Sequence, residues 1–371
     1  MKKALVLFVV LAVAFTAFAQ GGSEKSATAA NKIAMVTDYG DITDQSFNQT
    51  TYEACRDYAQ AKGLEFQYFK PTGDSTAERV KMIEAAIEQG FNIIVMPGFA
   101  FGEAVAETAP MYPDAKLIAL DVSESDLGGT VPANVYAAVY QEELAGYMAG
   151  YAAVKLGYTK LGYLGGMAVP AVIRYGYGFV QGADAAAKET GAKVELKYTY
   201  GNQFFGDADI TAFMDTWYKA GTQVVFACGG GIYTSAAEAA AKVGGKVIGV
   251  DVDQAAIIDG AYGKGITVTS AMKGLYASTQ AALKEICEND NWEALKGKAA
   301  NLGLVSNDPA LNYVGIPTGA GTQFSSKFSL ADYNKLVADM VAGKIKVDNS
   351  IDVAPVKMAK NFTVLDFGTI K

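Results

Sequence analysis

Residues 33–48 read Ile33-Ala34-Met35-Val36-Thr37-Asp38-Tyr39-Gly40-Asp41-Ile42-Thr43-Asp44-Gln45-Ser46-Phe47-Asn48. A short apolar run ends on a threonine and an aspartate, turns at a glycine, and enters a stretch over 49–62 with helical composition. Short apolar runs rich in β-branched residues, each closed by a turn and followed by an Ala-rich helical stretch, are the signature of βαβ units around a parallel sheet.

Working outward from this unit, the pattern recurs in two sets. The first holds strands expected at 33–37, 65–69, 93–96, 117–120 and 135–139, with helices near 49–62, 77–89 and 103–109. The second holds strands at 160–164, 193–198, 223–227, 247–250 and 266–269, with helices near 178–190, 208–219 and 234–243. A helix over 142–155 lies between the sets. After a helix at 275–289, strand material at 301–316 is assigned back to the first set. The expected class is therefore α/β, two doubly wound parallel-sheet lobes joined by a hinge. Lobe 1 takes residues 32–155 plus about 271–330 and lobe 2 takes 156–270. Residues 331–371 carry a terminal helix at 330–342 and are placed in neither lobe.

The chain opens on Met1-Lys2-Lys3, continues apolar to Phe15, and reaches Ala17-Phe18-Ala19 before Gln20. That is the pattern of a cleavable signal peptide over 1–19, and its uncharged run is shorter than the roughly 20 residues a spanning helix needs. Residues 20–31 read as a flexible linker. The sequence is 51% hydrophobic and 11% aromatic, rich enough for buried cores, and the length suits two domains. A net charge of −8 argues against a nucleic-acid partner. Three cysteines without CxxC spacing argue against a disulfide framework or a cysteine metal site. The absence of histidine removes the commonest metal ligand and general base. An extracytoplasmic monomer without metal or cofactor is expected.

A cleft between lobes is where small ligands lodge, and in parallel sheets the ligand-facing loops lie just past the carboxyl ends of strands. This rule selects Asp38 and Asp41 after the first strand, Asp121 after the fourth, Gly229 and Gly230 after the eighth, Asp251 after the ninth and Lys273 after the tenth. Aspartates at three strand ends, 38, 121 and 251, suit a ligand with vicinal hydroxyls or a base N–H edge, although aspartate also caps helices and starts turns. Ser46, Phe47 and Asn48 stand at the mouth of the first helix. Phe47 offers a ring for base stacking, worth roughly 1 to 3 kcal/mol, or else a hydrophobic staple. Tyr175, on a loop entering a helix, is a second ring or a core residue. Phe204 and Phe205 have the same standing. Lys273 is a hydroxyl donor that holds Asp251 ionised, or an ordinary surface lysine. The glycines at 229–231 permit close backbone approach, and their spacing is not that of a phosphate loop.

At these residues the chain resembles the basic membrane protein or PnrA-like purine nucleoside receptors of ABC importers. The motifs that carry the likeness are Val36 to Asn48, Val169 to Gly182, Val247 to Gln254 and Thr269 to Lys273, within a span from about 33 to 320. The resemblance implies a type I periplasmic-binding fold and a membrane permease as partner. It implies a purine base stacked on Phe47, ligand recognition by Asp38 and Asp121, and ribose hydroxyls held by Asp251 and Lys273. Relatives are commonly lipoproteins with a lipidated first cysteine, whereas the first cysteine here is Cys55. A soluble periplasmic protein is expected.

Two rival functions share parts of this pattern. A nucleoside hydrolase would hold calcium through aspartates like those at 38, 41 and 44, but calcium wants six to eight converging oxygens and the paired Asp-Asp is missing. A sugar or nucleoside receptor feeding a sensory system would use the same trap as an importer subunit.

Overall fold

The computed structural model describes residues 30–370. The expected signal peptide and nearly all of the expected linker lie outside the described residues. The chain first builds β1 (Lys32–Val36), α1 (Phe47–Lys62), β2 (Glu65–Phe69), α2 (Thr76–Glu88), β3 (Ile93–Pro97), α3 (Gly102–Thr108), β4 (Lys116–Leu120) and β5 (Val135–Tyr140). It then forms α4 (Glu142–Lys155), β6 (Lys160–Gly165), α5 (Pro170–Thr190), β7 (Glu195–Tyr200), α6 (Ala208–Lys219) and β8 (Val224–Cys228). There follow α7 (Tyr233–Ala241), β9 (Lys246–Asp251), α8 (Ala255–Tyr262) and β10 (Thr267–Lys273). The last elements are α9 (Leu275–Cys287), β11 (Lys298–Leu302), β12 (Val314–Gly315), α10 (Leu330–Val341) and β13 (Thr363–Thr369).

The strands form a six-stranded sheet ordered β11-β5-β4-β3-β1-β2 and a seven-stranded sheet ordered β12-β10-β9-β8-β6-β7-β13. All pairings are parallel except β10 with β12. Both sheets therefore contain the same five-strand winding, and its order reverses between β1 and β3 in one and between β6 and β8 in the other. Ligands of such sheets lodge at that reversal, outside the strands' carboxyl ends.

Burial on both faces explains why the inner strands read as unbroken apolar runs. In the first sheet Ile33, Met35, Ile93 and Val95 pack under α1 and α9, while Ala34, Val36, Ile94 and Met96 face the α2 and α3 side. The alternation is the two-residue period of a strand with apolar residues required at every position.

The structure redraws the lobe boundaries in three places. Helix α4 packs on α5, and its Ala145, Met148, Ala149 and Ala152 join the second lobe's core beside Tyr163 and Phe179. An Ala/Gly-rich helix carries no stripe that tells which sheet it will cover, so sequence adjacency to β5 misassigned it. The return to the first lobe spans α9 and β11, after which β12 crosses back, because two residues suffice for an antiparallel pairing on β10. The C-terminal segment belongs to the second lobe: Tyr333, Leu336 and Val337 of α10 enter its core, and β13 adds an edge strand to β7.

Helix α5 begins at Pro170, well before the expected 178. Proline at a first helical turn is preorganised for it. Gly176 and Gly178 read as helix-breaking, yet they serve contact: a Cβ on Gly178 would fall inside the Glu143 backbone, 2.8 Å from its Cα. Tyr175 is thereby a helical residue rather than a loop residue. Helix α8 and strand β13 had no counterpart in the sequence reading.

Candidate functional site

Three chain crossings, at 141–142, 273–274 and 303–313, join the lobes, and the strand ends of both sheets face each other across a cavity of about 480 Å³. That volume lies in the range of small-molecule sites. A second depression of about 590 Å³, lined by Lys188, Lys193 and Asn361, lies at the α5–β13 edge away from these strand ends.

The loop after β1 is organised by its own carboxylates. Asp38 Oδ1 accepts from the amides of Tyr39 at 2.6 Å and Gly40 at 2.7 Å. Asp44 takes over the capping of α1: its Oδ1 accepts from the amides of Ser46 at 2.9 Å and Gln49 at 3.1 Å, and its Oδ2 from that of Asn48 at 2.9 Å. The N-cap residue Ser46 is thus released from capping, and its hydroxyl donates across the cleft to Asp251 Oδ2 at 2.6 Å. Phe47 is the first helical residue, whereas a staple uses the residue before the N-cap. Its ring lies on the cavity wall, with Lys273 Nζ 4.6 Å from its centroid. Asp41 sits at the mouth, paired with Lys70 Nζ at 3.1 Å, and the bond from Lys70 holds its carboxyl below the usual range. These aspartates do not converge on one point, as a calcium site would require.

Asp121 and Asp251 end the fourth strands of their sheets, and both occupy the left-handed region, at φ 60° and 65°. Non-glycine residues held there mark positions where surrounding contacts overrule local preference. Those contacts are explicit. Lys273 Nζ donates to Asp121 Oδ2 at 2.6 Å and lies 3.5 Å from Glu142 and 3.9 Å from Asp251. Burial alone would depress the Lys273 ammonium, but Asp121, Asp251 and Glu142 together hold it above the ordinary lysine range. Burial pushes the Asp251 carboxyl up, opposed by Lys273 and by the Ser46 hydrogen bond. The Tyr175 hydroxyl donates to Asp251 Oδ1 at 3.4 Å, while its ring meets Phe226 edge-on in the core. Tyr175 therefore backs the cavity and orients a carboxylate.

Two buried acceptors at the cavity have no protein donor: Asp121 Oδ1 and Asn48 Oδ1. Phe205 is 58% exposed at the rim, and Phe204 lies behind it against Gly229. Gly229 and Gly230 have φ of 152° and 51°, and a Cβ on Gly230 would stand 3.0 Å from the Phe204 carbonyl, so backbone alone can line that wall. The cavity thus gathers Asp38, Asp41, Phe47, Asn48 and Asp121, with Tyr175, Phe205, Gly229, Gly230, Asp251 and Lys273 opposite. Ser46 stands outside its lining but bonds Asp251. Among the described residues no group of three or more His, Cys, Asp or Glu could hold a metal, and no helix is long and apolar enough to cross a membrane.

Sequence reasoning missed Glu142, fully buried, and Arg174, whose Nε donates to Glu142 Oε2 at 2.7 Å. Glu142 stands two residues past β5, so the strand-end rule extended to the fifth strand reaches it. Its neighbour Glu143 is raised to about 7, by burial first and then by Glu142, with Arg174 opposing. A carboxyl raised in the fold binds its proton more tightly there than in the unfolded chain. Its stabilisation is full below the ordinary 4.5 and lost as pH rises through about 7. The rise corresponds to about 3 kcal/mol. Glu143→Gln is expected to raise the melting temperature at pH 8 and to flatten its decline between pH 5 and 7; thermal melts across that range check it.

The chain's similarities agree with this architecture. A family described as ABC transporter substrate-binding protein PnrA-like matches residues 31–338. The ABC transporter nucleoside-binding protein BmpA of Lactococcus lactis is 28% identical, over 68% of this chain and 75% of that protein. Basic membrane protein B of Borreliella burgdorferi is 26% identical, over 81% and 86%. Among solved structures, an ABC transporter system solute-binding protein of Aeropyrum pernix superposes with a TM-score of 0.65 at 20% identity, covering 86% of this chain and 88% of that one.

Proposed function

The chain belongs to the PnrA-like family of ABC transporter substrate-binding proteins, and from that premise we propose that its cleft captures a purine nucleoside outside the cytoplasm for a membrane permease. The fold is the type I periplasmic-binding architecture expected from the sequence. The observation that carries the nucleoside reading is the meeting, in one cavity, of unsatisfied acceptors on the first lobe with a lysine–carboxylate group on the second. Asp121 Oδ1 and Asn48 Oδ1 accept N–H donors of a base, Phe47 stacks on it, and Asp251 and Lys273 take the ribose hydroxyls.

Closure follows from the same groups. Ser46 to Asp251 and Gln254 Nε2 to the Gln45 carbonyl at 3.1 Å join the lobes directly. A ligand that adds contacts to both lobes favours the closed form by its differential affinity for it. The monomer delivers its cargo to the permease, and no cofactor takes part.

Calorimetric titration with adenosine, inosine and guanosine, and with the free bases, tests the assignment. Asp251→Ala removes a charged hydrogen-bond acceptor worth about 1.5 to 3 kcal/mol, so nucleoside affinity is expected to fall about 10- to 100-fold while free bases change less than about twofold. Equal weakening of both classes refutes the ribose role, and a wild-type protein that binds no nucleoside refutes the ligand.

A further inference from the structure

Glu142 and Arg174 are charged and outside the cavity lining, Glu142 fully buried and Arg174 largely so. Burying such a pair is costly unless its geometry and hydrogen bonds are complete, so its place needs a physical account. Glu142 is the first residue of α4, immediately after the first crossing between lobes, and Lys273 ends β10 at the second. Their contact at 3.5 Å therefore ties two crossing segments together. Glu142 divides its oxygens, Oε1 toward Lys273 and Oε2 toward the Arg174 Nε at 2.7 Å. The guanidinium bond stops the carboxylate from rotating.

Arg174 precedes Tyr175 on α5, and Tyr175 holds Asp251. One helix pair thus fixes both members of the second lobe's hydroxyl-binding group: α4 places Glu142 behind Lys273, and α5 places Arg174 on Glu142 and Tyr175 on Asp251. Asp121, the nearest partner of Lys273, belongs to the first lobe and leaves with it when the cleft opens. Glu142 and Asp251 remain with the lysine in both states.

Resting on the nucleoside reading of the cleft, we infer that Glu142 and Arg174 are positioning residues that hold the Lys273 ammonium at the ribose subsite without touching ligand. An ammonium on a flexible four-carbon stem has many placements, and a fixed counter-charge selects one before ligand arrives. The pair acts through Lys273, whose partners Asp121 and Phe47 are held independently on the first lobe, so the effect falls chiefly on the hydroxyl-bearing part of the ligand.

Calorimetry on Glu142→Gln, with the melting temperature as a control for folding, tests this. Nucleoside affinity is expected to fall about tenfold, one power of ten in the binding constant, with free-base affinity within about twofold of wild type. Glu142→Asp, which keeps the charge on a shorter arm, is expected to recover part of the loss. Should Glu142→Gln not fold, Arg174→Gln frees the carboxylate to rotate and is expected to show the same split at about three- to fivefold. A folded variant with wild-type nucleoside affinity, or one that loses nucleoside and base by one common factor, overturns the inference. Wild-type protein with no preference for nucleoside over base overturns the reading of the cleft and this inference with it. Wild-type preference that survives Glu142→Gln overturns the inference alone.

Discussion

Lys273→Met is expected to lower the stability of the folded protein by about 3–5 kcal/mol and to abolish nucleoside binding. The Lys273 side chain is 3% exposed, and its ammonium faces carboxylates of Asp121, Asp251 and Glu142 at 2.6, 3.9 and 3.5 Å. Deleting it leaves three acidic groups, Asp251 and Glu142 buried and Asp121 largely so, with one nearby cation, Arg174, already committed to Glu142 at 2.7 Å. Breaking a buried pair by removing one partner is costly because the other charge stays desolvated. Burial already pushes Asp251 and Glu142 upward against the pull of Lys273, so without the lysine they rise further. A raised carboxyl favours the fold when protonated, so the defect grows as pH rises and shrinks on acidification. Adding Asp121→Asn to Lys273→Met removes one uncompensated charge and is expected to return part of the lost stability. Urea unfolding at pH 5 and pH 8 reads all three effects. A Lys273→Met protein as stable as wild type at pH 8, and still binding nucleoside, would show that the ammonium is dispensable.

Strands were legible because of where they sit. A strand covered on both faces needs apolar residues at every position, so β1, β3, β4 and β5 were read within a residue of their observed bounds. Their carboxyl ends were legible for the same reason: the apolar run stops, and Asp38, Asp121 and Asp251 mark the stop. Facts that depend on a partner elsewhere in the chain were not. Helix α4 carries small residues on all sides, so nothing in it names α5 as its neighbour. Tyr175 looked like a loop residue because Gly176 and Gly178 flank it, and glycine signals a break unless another backbone is known to press against it. Glu142 entered only as the first residue of the helix expected over 142–155, a place where a carboxylate is favourable at any helix start, and the lysine it meets lies 131 residues away.

The same crossing of α4 and α5 sets the other large effect, expected at Gly178. Substitution there by valine is expected to cost about 3 kcal/mol or more, with loss of soluble protein as the extreme. The two helices meet through paired glycines four residues apart, Gly146 and Gly150 on α4, Gly178 and Gly182 on α5. Each glycine faces a carbonyl of the opposite helix: Gly146 that of Tyr175, Gly150 that of Phe179, Gly178 that of Glu143 and Gly182 that of Tyr147. Backbone, unlike the tip of a flexible side chain, cannot swing aside, so any Cβ must push the helices apart. Small residues spaced in this way let helix backbones approach closely. Separation would act at the site as well, because Glu142 and Arg174 bridge these helices and Tyr175 reaches Asp251 from one of them. Gly178→Ala should therefore show a lesser stability loss together with a nucleoside affinity reduced more than that for free base. Thermal melts and paired titrations separate the two consequences. A Gly178→Val protein that melts with wild type would mean that the helices tolerate a wider spacing than their carbonyl contacts allow.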